Sequence, residues 1–404
     1  MGLFDRFLPL IKARESVAAG GVDPFSVKME TVLSPTRAII DGRETVIAGS
    51  NNYLGMTWDE SCMQAAIDAI REGGTGTTGS RIANGSYAGH RALEEELAAF
   101  LGFEHCMVLT TGYQANLGII STVAGPKDYL LIDADSHASI YDACRLGSAT
   151  VIRFKHNDPN DLANRLKRLE GDPGNKVVVV EGIYSMLGDT APLKEIAAVK
   201  REYGAYLLVD EAHSLGVLGE NGRGLYEREA VQEDVDFVVG TFSKSLGAVG
   251  GFCASSSPEF EILRVACRAY MFSASLPPSV IASVRQALKR MQDKALRANL
   301  WRNVDVLYDG LKAEGFSVGQ EKSPIISVDL RDPALVVAMW QELLRQGVYV
   351  NLALPPATPN GMALLRCSVT AAHTRAELEQ VVRTFVTVAH TLDVFGKPRL
   401  AASA

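Results

Sequence analysis

Two residues have the type and setting to do chemistry together. Asp210 closes the apolar run AYLLVD, and Lys244 follows the next such run, DFVVGTFS. Ligands of open α/β sheets gather at the carboxyl ends of the strands. A carboxylate and an amine at the ends of successive strands therefore share one crevice. Taken alone, the pair reads first as a structural ion pair. The surrounding residues argue for more. Thr241, Ser243 and Ser245 put hydroxyls on both sides of Lys244. Gly112 and Tyr113 follow the strand-like CMVLTT and open the helical QANLGIIST. The N–H groups at such a helix start form a phosphate cradle, and glycine lets the backbone come close. His137 follows a further short strand within DADSHASIYD, where a flat imidazole can stack on a ring; by itself it reads as a surface-loop histidine. Together these residues suit pyridoxal 5'-phosphate (PLP). A lysine forms an imine with it, and an aspartate keeps its pyridine nitrogen protonated, so that the ring can accept electrons from a carbanion.

These side chains need a scaffold that brings strand ends together. From about residue 60 to 260, helical stretches such as Cys62–Glu72 and His90–Leu101 alternate with the runs CMVLTT, DYLLIDA, VVVVEG, AYLLVDE and DFVVGTFS. That alternation predicts a mostly parallel sheet covered on both faces, an α/β fold. Beyond Leu276-Pro277-Pro278 come long helical segments, the strand-like PIISVDL and ALLRCSV, and a last helix from about Thr374. The expected organisation is an N-terminal arm (1–50), a large cofactor-binding domain (51–285) and a smaller C-terminal α+β domain (286–404).

Two short motifs mislead. Gly74-Thr-Gly76-Thr-Thr-Gly79 spells a dinucleotide fingerprint, but it follows a helical pattern rather than a strand. Read as a phosphate loop, it has Ser80 where the lysine belongs. Asp210-Glu-Ala-His213 spells a helicase box. With 40 Lys and Arg against 47 Asp and Glu, however, the chain carries −7 and lacks a nucleic-acid footprint. Cys62, Cys106, Cys144, Cys253, Cys267 and Cys367 have neither C-x-x-C pairing nor zinc-finger spacing. No metal is expected, and with no signal peptide the thiols read as reduced and cytosolic. Phe4, Phe7, Leu8 and Ile11 fall at helical spacing with Asp5, Arg6 and Lys12 between them. Such a segment suits an arm packed on another subunit, the preferred reading; peripheral contact with the inner face of a membrane is the alternative.

SNNYLG, GTGTTGSR, TTGYQAN, DSHASIYD, EGIYSMLGD, VDEAHSLGVLG, GTFSKSLGAVGG and FSASLPP occur in this order over residues 50–280. In these motifs the chain resembles the α-oxoamine synthase family of fold-type-I PLP enzymes, and the likeness covers nearly its whole length. The resemblance implies a decarboxylating condensation of an amino acid with an acyl thioester. DADSHASIYDACR, EGIYSMLGD and VYVNLALPPATP favour the branch that joins L-serine to a long-chain acyl group carried by coenzyme A or acyl carrier protein. Members using glycine (5-aminolevulinate and 2-amino-3-ketobutyrate synthesis) or alanine (8-amino-7-oxononanoate synthesis) are the rivals. Carried over by motif, Lys244 is the imine lysine and the base at the substrate Cα. Asp210 pairs with the pyridine nitrogen. His213, with Ser185 nearby, bonds the phenolic oxygen. His137 stacks on the ring and touches the substrate carboxylate. Gly112, Tyr113, Thr241 and Ser243 hold the phosphate, with Ser273 reaching in from the partner of a homodimer. Arg366 pairs with the substrate carboxylate, and Asn52 helps at the substrate end. The family often has a second arginine before the PPATP segment, where this chain has Leu354; Arg366 must then carry more of that contact.

Overall fold

A computed structural model describes residues 2–19, 21–355 and 358–395 of the chain. By contacts the chain divides into two compact units. One comprises residues 51–185 and 189–298; the other comprises 1–50, 186–188 and 299–404.

The larger unit is built on a seven-stranded sheet. Its strands are β1 (His105–Leu109), β2 (Tyr129–Asp133), β3 (Thr150–Phe154), β4 (Lys176–Glu181), β5 (Tyr206–Asp210), β6 (Phe237–Thr241) and β7 (Gly251–Ser255), in the order β1-β7-β6-β5-β4-β2-β3. All pairings from β6 to β3 are parallel. β7 runs antiparallel to both β1 and β6, so β1 points the same way as the parallel set. The carboxyl ends of β1, β2, β4, β5 and β6 therefore lie along one edge. Helices cover both faces, which is why Val177–Val180 and Leu207–Val209 are buried on either side. The edge strand β3 is largely exposed and its residues TVIRF lack a continuous apolar run, so hydrophobic pattern alone does not reveal it.

The helix Pro278–Met291 packs on the helix Glu60–Gly73 within this unit. The expected boundary after residue 285 falls inside that helix, and the unit continues to residue 298. The GTGTTG stretch is the loop that leaves Glu60–Gly73, not a strand-to-helix turn.

In the other unit, Arg37–Ile40 and Arg43–Ile47 form a hairpin, and Arg43–Ile47 pairs in parallel with Val348–Tyr349. This ladder groups the first fifty residues with the C-terminal part instead of leaving them as a separate arm. Ile325–Asp329, Leu364–Ser368 and Asn351–Ala353 make a three-stranded antiparallel sheet. The last helix, Arg375–Thr391, starts at a capping box of Thr374 and Glu377. The N-terminal helix Leu8–Ala18 buries no residue, and Leu3, Phe4, Leu10 and Ile11 are exposed. Among the described residues, no helix is long and apolar enough to cross a membrane. All six cysteines are free and buried.

His373 gives this unit a pH-dependent stability. Its Nδ1 accepts from the Thr370 N–H, which leaves Nε2 to donate to the Ile47 carbonyl at 3.1 Å. The bond accepted at Nδ1 requires the neutral ring, and burial lowers its pKa to about 4. The unfolded chain takes up this proton near pH 6.5. The stabilisation is therefore complete above that pH and is lost as pH falls towards 4, on the order of 3 kcal/mol over the interval. Urea unfolding of His373→Gln at pH 7 and pH 4.5 should show a smaller acid-side loss than the wild type. An equal loss in both proteins would remove His373 from the account.

Candidate active site

A cavity of about 250 Å³ opens at the carboxyl edge of the sheet. It is lined by Gly112, Tyr113, His137, Asp210, His213, Thr241, Ser243 and Lys244, all expected from sequence. Asn116, Ser139 and Glu181 join them.

Lys244 sits in a short loop after β6 that is held at several points. The Ser245 hydroxyl donates to the Leu215 carbonyl at 2.6 Å, and the Gly247 N–H donates to the Lys244 carbonyl at 3.0 Å. Gly247 has φ +66°, and a Cβ there would meet the Met56 and Thr57 backbone at 2.7–2.8 Å. Only glycine closes this turn without displacing the chain.

Asp210 is 4% exposed, and its charge is met by donors. Asn116 Nδ2 donates to Oδ2 at 2.6 Å, and the Ala212 N–H donates to Oδ1 at 2.9 Å. Asn116 also donates to Ser139 Oγ at 2.9 Å, which lies 2.8 Å from His137 Nδ1. His137 caps helix α2 (Ala138–Leu146), its Nδ1 accepting from the Ser139 N–H. With Nδ1 as acceptor, the neutral ring carries its proton on Nε2. Burial lowers the His137 pKa; Asp210 opposes the shift and Lys244 adds to it. His213 Nδ1 is 2.7 Å from the Tyr53 hydroxyl.

Helix α1 (Gly112–Val123) begins at the cavity, with Thr111 as its cap. A Cβ at Gly112 would lie 2.6 Å from Thr241 Cβ, so glycine is required for this approach. Thr241 Oγ1 is 2.8 Å from Ser243 Oγ. The Tyr113 ring stands edge-on to His137, with centroids 6.5 Å apart, and its hydroxyl bonds Asp142.

Four expected residues lie outside the cavity lining. The Asn52 amide donates to Thr57 Oγ1 at 2.7 Å. Ser185 follows Tyr184 on the loop after β4. Ser273 lies against Gln114 Nε2 at 3.2 Å and Thr110 Oγ1 at 3.3 Å. Arg366 belongs to the other unit, on the middle strand of its three-stranded sheet, where Nη1 donates to Ser368 Oγ at 2.9 Å. Leu354 directly follows the strand Asn351–Ala353; Pro356 and Ala357 of the PPATP segment lie outside the described residues.

Sequence reading missed Glu181 and Asn116. Glu181 ends β4 as Asp210 ends β5, and the two are register partners. Burial and the nearby Asp210 raise the Glu181 pKa well above the usual carboxylate range, and Oε1 accepts the His137 N–H at 2.5 Å. A charge at the end of an apolar strand was a usable signal for Glu181. Asn116 lies one helical turn after Gly112, on the same face.

The residues fit PLP. A glycine-lined helix start beside two hydroxyls suits a phosphate, a donor-backed carboxylate suits a pyridinium, and a neutral imidazole suits a ring face. Asn116 Oδ1 is buried without a hydrogen-bond partner at this wall, as expected of a site built for a polar ligand.

Comparison with known proteins agrees with this geometry. The family model "Aminotransferase class I and II" matches residues 44–385. A serine palmitoyltransferase of Caulobacter vibrioides is 58% identical over 395 residues, 98% of each chain. Among solved structures, Sphingomonas wittichii serine palmitoyltransferase superposes with a TM-score of 0.95 at 52% identity, over 98% of this chain and 100% of that one. An SPT structure carrying PLP as its internal aldimine superposes with a TM-score of 0.96 at 48% identity, with the same coverage. The cofactor is PLP and the fold is that of the fold-type-I PLP transferases. The chain belongs to the aminotransferase class I and II family and, within it, to the α-oxoamine synthases.

Proposed function

We propose that the chain carries out the serine palmitoyltransferase reaction. It joins L-serine to a long-chain acyl thioester, palmitoyl-CoA or an acyl group on acyl carrier protein, with loss of CO₂ and release of the carrier's free thiol, giving 3-ketodihydrosphingosine, the first step of sphingolipid synthesis. The observation that carries this reading is the near full-length likeness to serine palmitoyltransferases, joined to a cavity that holds both Lys244 and Asp210.

In this reading Lys244 holds PLP covalently and Asp210 keeps the pyridine nitrogen protonated. The neutral His137 ring lies against the cofactor face. Gly112, Tyr113, Thr241 and Ser243 take the phosphate, joined by Ser273 from a second subunit. His213, backed by Tyr53, takes the phenolic oxygen together with Ser185. When bound, PLP supplies an electron sink for charge at the serine Cα. Arg366 takes the serine carboxylate with two parallel hydrogen bonds, and His137 and Asn52 complete its surroundings. Fixing the carboxylate orients the Cα–H bond for removal by Lys244 Nζ, which is a free amine once the serine amine has displaced it, a gain of position rather than of acidity. After CO₂ leaves, the protonated Lys244 Nζ returns a proton to the same carbon.

The enzyme acts in the cytoplasm as a homodimer. The exposed N-terminal side chains, from Leu3 to Ile11, pack on the second subunit or rest on the inner face of the membrane.

Spectral titration of the yellow holoenzyme with serine, glycine and alanine tests the reading, followed by product mass with acyl donors of varied length on both carriers. Serine should perturb the cofactor absorption at the lowest concentration and give the 3-keto long-chain base. Faster turnover of glycine or alanine would overturn it.

A further inference from the structure

His156 lies outside the cavity lining, two residues beyond β3, and no step above uses it. Its Nδ1 is 2.8 Å from Asp133 Oδ1, and its Nε2 is 2.7 Å from Asp189 Oδ2. Asp135 adds a third carboxylate, 3.9 Å from Nδ1. Carboxylate oxygens only accept, so two such bonds require both ring nitrogens to donate. Burial opposes the charge, but hydrogen bonds and attraction to Asp133 and Asp189 outweigh it and lift the pKa to about 10. The Tyr184 ring stands edge-on to the imidazole, with centroids 4.5 Å apart.

Asn157 reinforces the link. Its N–H donates to Asp133 Oδ2 at 2.9 Å, and its amide donates to Asp189 Oδ2 at 2.9 Å and to the Thr190 carbonyl at 3.0 Å.

The two aspartates lie at the roots of cavity-forming loops. Asp133 ends β2; its Oδ1 accepts the Asp135 N–H at 2.8 Å and its carbonyl accepts the Ser136 N–H at 3.2 Å. That turn delivers His137, whose N–H reaches Glu181. Asp189 closes the loop that leaves Glu181: its carbonyl accepts the Tyr184 N–H at 2.9 Å, and Ile183 bridges to Thr190.

We infer from this geometry that His156 is a positioning residue. Its double ion pair to Asp133 and Asp189 fixes the loops that set His137 and Glu181, and so sets the orientation of the bound cofactor. The inference rests on PLP occupying the cavity and does not depend on which amino acid is the substrate.

The test compares PLP-loaded wild type, His156→Gln and Asp189→Asn, all held well below their melting temperatures. One readout is the visible circular dichroism of the bound cofactor without substrate, which reports ring orientation. The other is kcat and KM for serine. In the variants the ellipticity should be reduced or inverted at full PLP content. Misplaced groups should lower kcat/KM by about tenfold or more. A folded, PLP-loaded His156→Gln with wild-type ellipticity, kcat and KM would overturn the proposal, leaving His156 a purely structural residue. If His156→Gln fails to fold, Asp189→Asn, which keeps the Asp133 contact, decides by the same readouts. Should serine prove not to be the substrate, the ellipticity still decides the role of His156.

Discussion

The Lys244→Ala protein should bind PLP but carry none of it covalently, and borohydride should fix no cofactor on any peptide. Wild-type protein treated in the same way should carry the label on Lys244. Turnover should fall by at least about 10³-fold, roughly 4 kcal/mol of barrier. The size follows from the two roles proposed for one amine: holding the cofactor and moving the Cα proton, a general-base contribution that alone reaches about 10²–10⁴-fold. The loop makes replacement by another lysine implausible, because Ser245 and Gly247 fix its course and the buried Phe242 precedes it. The Asp210 and Asn116 pair is untouched by the change, so non-covalent PLP should be retained. A peptide map that places wild-type PLP on a different lysine would overturn the assignment.

The second large effect is expected at Arg366. It is 5% exposed, and its strand is flanked by Ser327 and Asn351 as register partners. A substrate carboxylate matches the planar fork of a guanidinium. Removing one member of a closed charge pair costs roughly 2–5 kcal/mol. Arg366→Ala should therefore weaken apparent serine affinity by at least about tenfold. Arg366→Lys should recover only part of that, since an ammonium cannot present two parallel donors. Leu354 cannot form an ion pair, so Leu354→Arg should change serine affinity modestly or improve it. The absorption of bound PLP should survive in all three variants. Wild-type serine binding by Arg366→Ala would show that the carboxylate is held elsewhere.

The acid-side stability expected from His373 is of a different kind. It concerns a ring held neutral by one donor and one acceptor, far in sequence from the motifs that carry the chemistry. His373 and His137 are both depressed by burial, yet only His137 lines the cavity. A shifted pKa therefore does not identify a functional histidine without the geometry around it.

The sequence by itself determined the parts that depend on local pattern. Runs such as VVVV and LLV read as strands buried on both faces, and their alternation with amphipathic helices points to parallel pairing. Ligands gather at strand ends in such a sheet, so Asp210, Lys244, His137 and Gly112 were legible from type and position as residues of one cavity, and the ordered motifs pointed to the family. The tertiary structure decided what depends on which strands are neighbours. β7 inserts antiparallel between β1 and β6, and nothing in GFCAS announces that place. The register of β4 on β5 sets Glu181 beside Asp210, turning an ordinary strand-end glutamate into a buried acid of raised pKa. Asn116 acquires its role only because α1 brings its amide to a carboxylate 94 residues further along the chain. His156 is a lone histidine in sequence; it becomes a doubly paired cation because two other chain segments converge on its ring. Hydrophobic periodicity acts over a few residues and can be read locally. Charge pairing and desolvation act through space, and the distances that govern them exist only once the chain has folded.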